Sequence, residues 1–111
     1  MDMRADAVDD MDVKILLSTL KALKKGDFTA RMPTDWTGLA GKVADTLNDI
    51  LEHNEKMAES ITTVSRVVGR EGRLTQRAAV PAASGGWEVM VDSINSLIDD
   101  LVQKLMQRSF A

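Results

Sequence analysis

The chain has 111 residues, enough for one ordinary domain or two small repeats, and its 4% aromatic content with no Tyr suits helix-on-helix packing better than a sheet enzyme. A net charge of −3 with both signs interspersed lacks the basic stripe that marks a nucleic-acid binder. The absence of cysteine excludes disulfides, thiol nucleophiles and thiolate metal sites, and no uncharged run is long enough to span a membrane.

Residues 1–10 are acidic and carry no apolar signal-peptide core, so they are expected to be a flexible lead-in to a cytoplasmic chain. From Met11 to Lys25 the pattern is helical. Val13, Leu16, Leu20 and Leu23 recur at steps of 3, 4 and 3, and Ile15, Leu17 and Ala22 widen the face. Asp9, Asp10 and Asp12 stand at its start and Lys21, Lys24 and Lys25 at its end, the polarity a helix dipole favours. Gly26 follows as the expected C′ residue.

Gly26 to Gly41 reads as a connector, because Gly26, Pro33, Gly38 and Gly41 break both helix and strand patterns. Phe28, Met32 and Trp36 interrupt it and are expected to plug back onto the helices. Beyond it, Val43, Leu47, Ile50, Asn54, Met57, Ile61, Val64 and Val68 are spaced as an unbroken heptad seam, with neither Gly nor Pro between its ends. One continuous helix over 43–68 is predicted, and its seam needs neighbours. Asn54 has two readings: a buried register-fixing amide, or a rim position with Leu51 rotated inward instead.

The pattern then repeats. Gly26-Asp27-Phe28-Thr29-Ala30-Arg31 recurs 46 positions later as Gly72-Arg73-Leu74-Thr75-Gln76-Arg77. Val43 to Leu51 recurs 47 positions later as Met90 to Ile98, which places a one-residue insertion in the second connector, Gly69 to Gly86. The last helix is predicted from Trp87 to Gln107, with Trp87, Met90, Ile94, Leu97 and Leu101 as its seam. Connectors this long exceed what an antiparallel helical hairpin needs, so the two helices of each repeat can lie parallel. Half of each apolar face would remain wet, and a homodimer closing a parallel four-helix bundle would cover it.

Gly26-x-Phe28-x-x-x-Met32 and Gly72-x-Leu74-x-x-x-Ala78, each followed by a helix bearing Asn48 or Asn95, resemble the connector signature of HAMP domains. Over roughly Val13 to Val102 the chain is similar to the start of the poly-HAMP array in soluble hybrid histidine kinases, bacterial relatives of the fungal osmosensing group. The resemblance implies an all-α fold of two tandem HAMP repeats. The first would occupy 11–57 and the second 55–106, sharing the 43–68 helix, with 107–111 as a tail. Gly26 and Gly72 would be turns, Phe28, Met32, Leu74 and Ala78 packing residues, and the two seams the dimer interface. Two departures stand out. The acidic residue many members place at the start of the second helix is not at Leu39 or Gly86, Glu88 being two positions late. Ala78 is a small plug beside the large Met32, leaving Val80 as the alternative.

Few side chains offer chemistry. His53, the single histidine, is followed by Asn54 and Glu55 rather than by the acidic residue, Arg and Pro of a phospho-accepting site, and reads as a solvated or interface histidine. Asp99 and Asp100 point about 100° apart on a helix, so with Asp92 they read as a solvated face and not a cation site. Gly85-Gly86-Trp87 lacks a phosphate-loop Lys. No nucleophile, base and orienter come together, so no enzyme, cofactor or metal is expected. The expected function is relay of conformational signals in a two-component sensor kinase or related receptor. Its partners would be a second copy and, in the full-length protein, further HAMP repeats or a kinase output domain. The alternative is a helical dimerisation or adaptor module with one packing.

Overall fold

The computed structural model describes the backbone of residues 3–110 and the side chains of residues 12–108. The chain is all-α. Helix α1 is Met3–Lys24, α2 is Gly38–Val64, a π-helical segment continues α2 over Ser65–Arg70, and α3 is Gly86–Phe110; no strand occurs among the described residues. None of these helices is long and apolar enough to cross a membrane. The fold divides into two units, Met1–Glu55 and Lys56–Ala111, with α2 contributing to both.

Helix α1 starts earlier than the apolar pattern alone suggests, because neither Gly nor Pro occurs before Gly26 to stop it. Residues 1 and 2 of the expected lead-in lie outside the described residues, as do the side chains of the rest. The expected tail at 107–111 is helical as far as Phe110, and residue 111 lies outside the described residues.

The exit from α1 is a Schellman turn. Gly26 N–H donates to Leu23 O at 2.9 Å and Asp27 N–H to Ala22 O at 2.9 Å, with Gly26 at φ 86°. Those two bonds satisfy carbonyls that the helix end would otherwise leave open. Asp27 then caps the following turn: its Oδ1 accepts from Thr29 N–H at 3.1 Å and from Thr29 Oγ1 at 2.6 Å. Both bonds favour the charged carboxylate, the hydroxyl more than the amide, and hold the Asp27 pKa below the ordinary carboxylate range.

In the first unit Met32, Ala44, Leu47 and Leu51 form the buried core, with Ile15, Leu16, Leu23 and Trp36 packed against it. Thr19 is buried on α1 and is satisfied by donating to Ile15 O at 3.0 Å. Connector contacts run in reverse order along α2. Arg31 reaches Glu55, Met32 meets Asn48, and the carbonyl of Trp36 stands against Gly41. The connector therefore runs antiparallel to α2, the course that lets α1 and α2 point the same way.

The second unit is built on Val64, Ala78 and Ile98, with Val68, Val91, Ile94 and Val102 packed around them. Met57, Val67 and Val80 are buried as well. Val80 and Ala78 thus share the plugging role that Met32 fills alone. The one-residue insertion lies between Ala78 and Gly85, at a turn in which Ala83 N–H donates to Val80 O at 3.3 Å. Pro81 presets the turn and Ala82 takes its left-handed position at φ 58°.

Candidate functional site

Two features repeat in both units: a clamp on the connector and an apolar face left open beside it. The clamp is an asparagine. Met32 N–H donates to Asn48 Oδ1 at 2.6 Å, and Asn48 Nδ2 donates to Met32 O at 3.2 Å. In the second unit Ala78 N–H donates to Asn95 Oδ1 at 2.7 Å, and Asn95 Nδ2 donates to Ala78 O at 3.0 Å. One amide thereby satisfies both backbone groups of a plug residue that is nearly inaccessible to water, as a neighbouring strand would. Asn is suited to this because it presents a donor and an acceptor side by side.

An arginine locks each clamp from outside. Arg31 donates to the carbonyls of Phe28 and Ala30 at 2.6 and 2.7 Å and pairs with Glu55 at 2.7 Å. Arg77 donates to the carbonyls of Leu74 and Gln76 at 2.7 Å each and pairs with Asp99 at 2.8 Å. Both ion pairs are partly solvated, so their role is to fix the connector's path more than to stabilise it.

The predicted seams divide between covered and open positions. Leu47, Met57 and Val64 are buried, and Asn54, Val68 and Ile94 are half-buried. Val43, Ile50, Ile61, Met90, Leu97 and Leu101 remain exposed. Asn54 Nδ2 donates to Ile50 O at 2.9 Å on its own helix, while Leu51 is fully buried. In the first unit the open residues Leu20, Leu39, Val43 and Ile50 line a groove between α1 and α2 together with Leu16, Leu47, Lys42 and Thr46. Leu39 is 78% exposed and Val43 and Ile50 about 40%, so apolar side chains are left open along this groove.

Of the predicted connector residues, Gly72 at φ 71° repeats the left-handed turn of Gly26, and Phe28 is half-buried. Leu74 lies at the surface, 36% exposed. The core positions Ala44 and Leu51 lie outside the predicted seam, although their spacing of seven marks one helical face. Asp99 is engaged by Arg77, and among the described residues no three His, Asp or Glu side chains converge on a metal position. No protein-family model matches the chain, and no solved structure matches it.

Proposed function

We propose that the chain is a signal-relay module of a two-component sensor kinase or related receptor, built from two tandem HAMP repeats. Two copies pair through the open halves of their seams as stacked parallel four-helix bundles. A change in helix packing at the input end biases the first bundle between two arrangements of similar energy, and the helix shared by the repeats passes that bias toward an output domain.

The observation that supports this reading is the repeated Asn clamp beside open seam positions. Asn48 and Asn95 grip connectors at matched positions, while Val43, Ile50, Met90 and Leu97 stand uncovered at equivalent places in the two repeats. A second copy placed in register would cover them.

Cysteine cross-linking tests the pairing, since the chain has no cysteine of its own. Val43→Cys and Ile61→Cys should each form a disulfide-linked dimer under mild oxidation, with Asp45→Cys as an outward control. On one helix positions 43 and 61 lie about 27 Å apart, so an antiparallel pair could link at most one of them. Linkage at both, with little at Asp45, is the expected result. A monomeric mass with no linkage would sink the dimer, and one unchanging linkage pattern in every signalling state would leave a static dimerisation module.

A further inference from the structure

Helix α2 does not leave for its connector as α1 does. At the α1 exit Lys25 N–H still donates to Lys21 O, four residues back, before the Gly26 turn closes the helix. At the α2 exit Glu71 N–H donates to Arg66 O, five residues back, and Arg73 N–H to Val67 O, six back, each at 3.0 Å. The buried positions agree. The half-buried and buried set Ile15, Thr19, Ala22 and Leu23 on α1 recurs as Ser60, Val64, Val67 and Val68, each 45 positions later, yet Gly26 recurs as Gly72, 46 positions later. One extra residue therefore sits between Val68 and Gly72, and the π-helical segment Ser65–Arg70 is where the chain takes it up.

The surroundings of this wide turn leave it room to change. Gly69 lies inside it, and a Cβ there would meet nothing within 4 Å. Its outer edge is tied by Glu71, which pairs with Arg66 on the helix side and with Arg73 at 3.6 Å beyond the Gly72 turn. All three side chains are substantially exposed, so the tie is readily exchanged for water.

We propose that Ser65–Arg70 is a one-residue register device, in which the surplus residue passes between the wide turn and the chain just after it. With the residue in the turn, the segment is π-helical and Val67 and Val68 face the core. With the residue passed on, the segment winds as ordinary α-helix and Glu71 onward shifts by one position. The second connector can then move against the end of α2 without that end melting, because the exchange remakes backbone bonds rather than abandoning them. The device rests on the geometry of the second unit alone and stands apart from the relay reading.

Two deletions test it. Removing Gly69 takes out the surplus residue, gives this exit the spacing of the α1 exit and leaves Arg66 and the glutamate four apart. Removing Ala58, an exposed residue in the α-helical part of α2, shifts a register that has nothing to spare. The Gly69 deletion should melt within a few degrees of the parent, and the Ala58 deletion should lose more than ten degrees. Equal losses would overturn the surplus residue. In the parent chain, hydrogen exchange at the Glu71 and Arg73 amides should be at least tenfold faster than in the interior of α2, and the Gly69 deletion should remove that difference. Amides as protected as the helix interior in the parent would overturn the exchange. The variants are compared with the parent at one protein concentration, because association raises melting temperature by mass action, and a solution mass reports the oligomeric state of each.

Discussion

At the scale of single residues, the first repeat is set by close backbone fits that the second lacks. Gly41 is buried in the first turns of α2, and a Cβ there would stand 2.4 Å from Trp36 O and 2.9 Å from Trp36 C. Both are backbone atoms, so the chain must move to admit a methyl group. In an open helix, Gly→Ala stabilises by about 0.4–1 kcal/mol. Gly41→Ala should instead destabilise, while Gly86→Ala, with nothing within 4 Å, should show the ordinary gain. Chemical denaturation of the two variants should give opposite signs. Asn48→Leu keeps the bulk of the clamp and removes its polarity, leaving Met32 N–H and C=O without partners beside the core. A loss of about 2–4 kcal/mol is expected from two stranded backbone groups. Asn95→Leu should act alike on the second unit, and a loss under 0.5 kcal/mol at both sites would show that water replaces the amide.

At the scale of elements, the sequence is legible where periodicity and turn chemistry are local, and less so where a neighbour decides. The three helices and the Gly26 turn follow from spacing, capping charge and glycine placement. The buried face of α2 does not follow from its heptad alone. Val43-Leu47-Ile50 and Ala44-Leu47-Leu51 are both acceptable helical stripes, and the choice between them is made by α1 and the connector together, whose Ile15, Leu16, Leu23, Met32 and Trp36 share the core with Ala44 and Leu51. The π-helical segment has no sequence signature beyond Gly69 and is revealed by the backbone bonds of Glu71 and Arg73. One of the differences between the two connectors can be measured directly. Arg73 stands where Asp27 caps Thr29, so the second connector has no equivalent carboxylate at that turn. Because the Asp27 pKa is lowered in the fold, its contribution is present above the ordinary carboxylate range and disappears as pH falls through the lowered value. Thr29→Val removes the hydroxyl, the larger cause, and should move the Asp27 titration back toward the ordinary range by carboxyl-carbon NMR. An unmoved midpoint would leave the Thr29 amide as the sole cause.

At the scale of the whole molecule, two adjacent positions on α2 separate folding from association. Leu51 is fully buried within the first unit, whereas Ile50, one residue earlier, lines the open groove and is 40% exposed. Leu51→Ala creates a cavity in the unit's own core and should lower stability by about 2–4 kcal/mol. Ile50→Asp gives up the part of Ile50 that the single chain already covers, so an isolated chain should lose some stability, though less than with Leu51→Ala. If the groove is covered by a second copy, Ile50→Asp places a carboxylate in a dry interface opposite its own symmetry mate, where two like charges repel. The dimer should then dissociate at concentrations where the parent stays paired, with helicity by circular dichroism largely kept. Melting temperature should also depend on protein concentration in the parent and lose that dependence in Ile50→Asp, since association stabilises the folded chain by mass action. Leu51→Ala should melt earlier yet keep the concentration dependence. A parent chain whose melting ignores concentration, with Ile50→Asp no different from it, would mean that the groove has no second copy to receive and that the relay has lost its physical basis.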